Sequence, residues 1–164
     1  MSPMQPSLSH GDTKKALSTF FFVLVCGGGA VALAQEAEPA AEQRVRFAWV
    51  DVTVDAKDAP LAAYQFEFAA ETGTIRIVGV EGGEHAAFRE APYYDPAALK
   101  QGRIIIAAFN TGRDLPKGRT RVARLHLQVV GDVTPEYVVK LTVAAGAEGK
   151  PIQATAAATP GEAR

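Results

Sequence analysis

The stretch Ala62–Gly83, AAYQFEFAAETGTIRIVGVEGG, decides the fold class. Tyr64, Phe66 and Phe68 fall on one parity and Gln65 and Glu67 on the other, the two-residue period of a strand with one buried face. Glu71-Thr72-Gly73 interrupts the pattern with turn chemistry, and Thr74–Val80 resumes it as a second β-rich run. The class this announces is all-β.

The same pattern extends in both directions. Upstream, Val45, Phe47 and Trp49 share one parity and Val50, Val52 and Val54 the other, so the apolar phase switches within Arg44–Asp55. That switch predicts a bulge or a strand passing from one sheet to another. Asp55-Ala56-Lys57-Asp58-Ala59-Pro60 ends the run with turn residues. Downstream, Arg103–Phe109, RIIIAAF, is apolar on both faces and predicts a central strand covered on both sides. In Arg121–Val130, Ala123, Leu125, Leu127 and Val129 point inward and Arg124, His126 and Gln128 outward. In Tyr137–Ala144, Tyr137, Val139, Leu141 and Val143 point inward and Val138, Lys140 and Thr142 outward. A short last strand is expected near Ile152. The helical signal is confined to 95–100, with Asp95 as N-cap and Pro96 at the first helical position. Short strands, turn signals and one brief helical turn describe an antiparallel β-sandwich over 44–155.

The chain has 164 residues, room for one domain of ordinary size, about 100 to 150 residues. Lys14-Lys15, the apolar run Ala16–Val25 and the small-x-small terminus Ala32-Leu33-Ala34 make up a secretory signal peptide over 1–34, with cleavage expected after Ala34. An uncleaved membrane anchor and lipidation at Cys26 are the rival fates of that segment. Cleavage removes the chain's single cysteine, and with it disulfides, thiol catalysis and cysteine-ligated metals. Residues 35–43, QEAEPAAEQ, read as a flexible leader and 156–164 as a disordered tail. The net charge of −1, with its signs interspersed, argues against nucleic acid. The membrane is expected only through the signal segment. Arg113, Lys117, Arg119, Arg121 and Arg124 form the one basic cluster, read as a solvated loop and strand edge or as a site for an acidic partner.

The runs Leu61–Phe68 and Ile77–Gly83, followed by Gly102–Phe109 and Arg121–Val129, resemble the cohesin domain over most of Val45–Thr155. The resemblance implies a jelly-roll sandwich similar in fold to several carbohydrate-binding modules. It also implies a bacterial protein that binds a dockerin-like partner through one sheet face. Function does not follow from fold alone, so the residues have to carry it.

Two sets of residues are candidates for binding. The outward polar ladders, Gln65 and Glu67 on one strand and Arg124, His126 and Gln128 on another, would form a flat surface for a protein partner if their strands share a sheet. His85, Tyr93 and Tyr94, in the long connection Glu81–Lys100, would serve a polysaccharide if the two tyrosines form a platform. Trp49, Tyr64, Phe66, Phe68 and Tyr137 offer ring faces on which a sugar could stack, but four of them sit at period-2 positions with other apolar residues and read as core. Asp55 and Asp58 are two carboxylates, too few for a calcium site, and no zinc spacing is present, so neither metal nor cofactor is expected. His85 with Glu84 and Asp95 offers acid and base groups without an assignable nucleophile or oxyanion motif, so a non-enzymatic module is expected.

Overall fold

The structure, a computed structural model, describes residues 44–162; the expected signal peptide at 1–34, with Cys26, and the expected leader at 35–43 lie outside them. Among the described residues eight strands form: β1 (Val45–Asp55), β2 (Ala63–Thr72), β3 (Thr74–Gly82), β4 (Tyr93–Tyr94), β5 (Arg103–Phe109), β6 (Arg119–Val130), β7 (Glu136–Ala145) and β8 (Thr155–Glu162). They make two four-stranded antiparallel sheets, one in the order β3-β6-β1-β8 and the other β4-β5-β2-β7. The protein is an all-β sandwich.

β2 and β3, adjacent in sequence, are not a hairpin. Thr72 still pairs with Glu136 of β7, and Thr74 already pairs with Val130 of β6, in the other sheet. The crossing is made at Gly73, whose φ of +74° a side chain would resist, with Pro135 packed against it. Because the two sheets face each other, the buried parity inverts across that residue. Tyr64, Phe66 and Phe68 are buried from one side, Ile75 and Ile77 from the other. Ile104 and Ile106 join the first set, and Val50, Val52, Val54, Leu125 and Leu127 the second, to form one core. A Phe66→Ala change here removes about 3–5 kcal/mol.

The structure corrects the sequence reading in four places. β1 has no phase switch: Ala48, Val50, Val52 and Val54 are buried in unbroken alternation, while Val45, Phe47 and Trp49 lie on the outer face. Period alone does not show this, because an outward Phe or Trp has the same pattern as an inward one. Trp49, expected in the core, is covered from outside instead. The Arg124 guanidinium lies 5.4 Å from its ring centroid, and Gly161 lies so close to the indole that a Cβ there would collide with it.

The expected tail is a strand. β8 pairs with β1 from Ala48↔Glu162 to Asp55↔Thr155. TAAATPGE carries no hydrophobic period because alanine gives little signal, yet Ala156 and Ala158 pack against the core and small residues lie flat along β1. Pro160 is tolerated because an edge strand has only one ladder to supply.

β5 is not covered on both faces; Ile104 and Ile106 are buried, but Ile105 and Phe109 are exposed. In β7 the pairing slips at Thr142, where Gln65 faces Val143 and Phe66 faces Leu141. The bulge turns Val143 outward, against the expected inward row. The helical turn at 95–100 is a 3-10 turn, Pro96–Ala98, with Asp95 as N-cap accepting from the Ala97 amide at 2.9 Å.

If β8 seals β1, deleting residues 155–164 lowers stability by at least about 1–2 kcal/mol, roughly 5–10 °C in Tm for a domain of this size. An unchanged denaturation midpoint in the truncated chain would show that the segment is a tail after all.

Candidate functional site

The two polar ladders sit on opposite sides of the sandwich. Gln65 and Glu67 belong to β2, in the β4-β5-β2-β7 sheet, and Arg124, His126 and Gln128 to β6, in the other sheet. The shared surface expected of them does not form. Each face has to be considered by itself.

On the β3-β6-β1-β8 face the registers put Glu81, Arg124, Asp51 and Thr159 in one row and Gly79, His126, Trp49 and Gly161 in the next. Arg124 grips Asp51 with two hydrogen bonds, Nε at 2.7 Å and Nη2 at 2.8 Å. These bonds hold the Asp51 carboxyl below the usual aspartate range and raise the already high basicity of Arg124. His126 Nε2 lies 2.8 Å from Glu81 Oε1. Arg121 stands on the same face although it is three residues from Arg124. Val122 and Ala123 are both buried, and the β1–β6 register slips between them and Thr53. The bulge gathers Arg119, Arg121 and Arg124 around a shallow hollow of about 530 Å³ that also holds Asp51, Glu84, Thr53 and Thr159. Asp51 faces both Arg124, at 2.7 Å, and Arg121, at 4.0 Å, while Arg121 Nη1 donates to the Gly82 carbonyl and Glu84 accepts from the Arg121 amide.

The β4-β5-β2-β7 face is arranged differently. Its centre is the pair Glu67–Arg103, bidentate at 2.7 and 2.6 Å, which holds Glu67 below the usual glutamate range. Gln65 and Thr142 are linked twice, Gln65 Nε2 donating to the hydroxyl and the hydroxyl donating to the Gln65 carbonyl. Around these fixed polar groups stand large exposed apolar side chains: Tyr93 at 69% exposure, Phe109 at 65% and Ile105 at 46%. Tyr93 and Phe109 lie nearly parallel, centroids 6.1 Å apart. Sequence reasoning missed Phe109 and Ile105, because RIIIAAF conceals which of its parities faces out. The signal that finds them is the pairing of Ile105 with Glu67, a residue already assigned outward.

The tyrosine platform does not form. Tyr93 and Tyr94 are consecutive strand residues, so they point to opposite sides; Tyr93 faces solvent and Tyr94 packs against the core. His85 is a capping residue: its Nδ1 accepts from the Ala87 amide at 3.2 Å, and Nε2 lies 3.7 Å from Asp114. Asp55 is occupied by Lys57, through its amide at 3.0 Å and its ammonium at 2.8 Å. Among the described residues no group of three or more His, Cys, Asp or Glu is placed to hold a metal, and no helix is long and apolar enough to cross a membrane.

Asp51→Asn tests the ion-pair row. The folded Asp51 titrates below its ordinary value of 3.8, so the pair contributes fully above that value and is lost as pH falls through the depressed one. At pH 7 the variant is less stable by about 1.5–3 kcal/mol, the range for hydrogen bonds to a charged group. The gap begins to narrow as pH falls below about 3.8 and closes only once the folded Asp51 is itself protonated. Urea titrations at pH 7 and pH 3 showing the same gap would remove the pair from the account.

Compared with known proteins, the chain matches no family model, no curated protein and no solved structure.

Proposed function

We propose that this chain is an exported, non-catalytic binding module that recognises a protein partner through the outer face of its β4-β5-β2-β7 sheet. The observation that carries this reading is the cluster of exposed Tyr93, Ile105 and Phe109 around the internally paired Glu67–Arg103 and Gln65–Thr142. Interfaces concentrate their energy in a few large apolar or aromatic anchors, with polar groups setting register around them. Polar groups already locked in place need little ordering on binding, which lowers the entropic cost. The resemblance to cohesin domains, which bind through one sheet face, supports the same reading. Of the residues named for partner binding, Gln65 and Glu67 remain in the proposal. Arg124, His126 and Gln128 leave it, since they lie on the other sheet.

The exposed, nearly parallel Tyr93 and Phe109 rings favour one second reading, a polysaccharide stacked on that pair. It no longer includes Tyr94 or His85.

A photo-crosslinking residue placed at position 65, and in a control at position 128, distinguishes the faces. In the extracellular proteins of the source organism, position 65 yields a discrete protein adduct, and Phe109→Ala lowers it at least about tenfold. Adducts of equal yield from both positions, or none from 65, would overturn the reading. Retardation in a polysaccharide gel that Tyr93→Ala abolishes would transfer the face to the glycan reading.

A further inference from the structure

The β4-β5-β2-β7 sheet has an incomplete edge. β4 contributes only Tyr93 and Tyr94, which pair with Ala107 and Ile106, and no strand continues it along Arg103–Ile105. The cause is local: Asp95 is followed by Pro96, which cannot donate to a ladder, and the chain turns away into Pro96–Ala98. A groove of about 520 Å³ remains between that turn and β5. Tyr93 stands beside Ala107 at one end, Arg103 lies at the other, and Ile105, Ala97 and Ala98 line the stretch between.

The backbone facing this groove can be assigned from neighbouring bonds. The Ala70 amide donates to the Gly102 carbonyl and the Asn110 amide to the Ala62 carbonyl, both across the β2–β5 ladder. In an antiparallel pair the bonding direction alternates residue by residue. Residues 104, 106 and 108 therefore bond to β2, and Arg103 and Ile105 turn their backbone groups toward the groove. The other edges are blunted instead: β8, paired on one side only, carries Pro160, and β3 and β7 are each met at one point. At β3, Ile77 donates to the Gln101 carbonyl at 3.0 Å and accepts from the Lys100 amide at 2.7 Å, and β7 is met by Pro151 and by the Ile152 amide.

We propose that this edge takes an extended peptide segment of a partner protein, which adds as a short strand in line with β4 and hydrogen-bonds Arg103 and Ile105. The open stretch from Arg103 to Ile105 is roughly 7 Å at about 3.4 Å per residue, so about three partner residues pair there. Main-chain bonds supply affinity and alternate side chains supply selectivity, as in other cases of strand addition. The direction is set by the spare hydrogen-bond donors of Arg103 at one end and by the Asp95 carboxylate, which lines the groove on the Tyr93–Tyr94 side, at the other. Two of the five N–H groups of Arg103 bond to Glu67, and the remaining donors favour a carboxylate at that end of the segment, with an apolar side chain against Tyr93 at the other. The proposal deepens the reading of this face and rests on it only in taking the occupant to be polypeptide.

The test pans the full chain against a phage-displayed library of random dodecapeptides and measures the selected peptides by fluorescence anisotropy. Two probes report the edge. Singly N-methylated versions of a selected peptide should lose binding at least about tenfold at alternate positions and little at the positions between. Ile105→Pro should remove binding while keeping Tm within a few degrees, because the lost N–H points to the groove and not to β2. No enrichment above a blank surface, or peptides that tolerate N-methylation at every position, would overturn the proposal. So would undiminished binding to a folded Ile105→Pro chain; should that variant unfold, the N-methyl scan on the natural sequence decides. A position-65 adduct without edge-dependent peptides sinks this inference alone, and absence of both sinks the reading of the face with it.

Discussion

One buried hydrogen bond ties the two sheets together. The Tyr64 hydroxyl, on β2, donates to the carbonyl of Val122, on β6, at 2.9 Å. The carbonyl is available because Val122 is the extra residue of the β6 bulge, left out of the pairing with β1. Burial drives the phenol's pKa upward, so the group stays a neutral donor. Its ring stacks on Phe66 and meets Phe88 edge to face, 5.1 Å between centroids. Phe88 in turn anchors the connection that leads into β4. The chain enters that connection at Gly83, where a Cβ would strike the Arg121 carbonyl beside the bulge. Core register, the arginine-lined face and the start of the β4 segment therefore share one contact point.

Much of the fold could be read from residues. Alternation in β2, β3 and β6 is written in large side chains, and Tyr64, Phe66, Phe68, Ile75 and Ile77 each stand between two outward neighbours. The misreadings share a physical cause. Phe47 and Trp49 are apolar yet outward, Ile105 and Phe109 likewise, and period alone does not say which parity is inside. β8 was silent for the opposite reason, since alanines and a glycine bury little area while making a full ladder. Bulges at Val122 and Thr142 shift parity by one residue, which no window of periodicity resolves.

The site was legible only in part. Gln65 and Glu67 were placed outward correctly, but their association with Arg124 and His126 required knowing the sheet to which each strand belongs. That information lies in the crossing at Gly73 and in pairings between residues far apart in the chain. What the structure adds is the arrangement on each face: both carry ion pairs and exposed apolar groups, but only on the β4-β5-β2-β7 face do the stacked Tyr93 and Phe109 stand next to an unfinished edge strand with a groove beside it. That face has more to gain from a partner, because apolar area and unpaired backbone both lose unfavourable hydration or exposure on contact.

The central claim is that the Tyr64–Val122 bond sets the two sheets in register, and Tyr64→Phe tests it with the loss of a single oxygen. The account predicts a folded variant destabilised by about 1–3 kcal/mol in chemical denaturation, because the buried Val122 carbonyl loses its partner, together with faster amide exchange at Arg121–Ala123. Unchanged or increased stability, with exchange at the bulge unaltered, would contradict it.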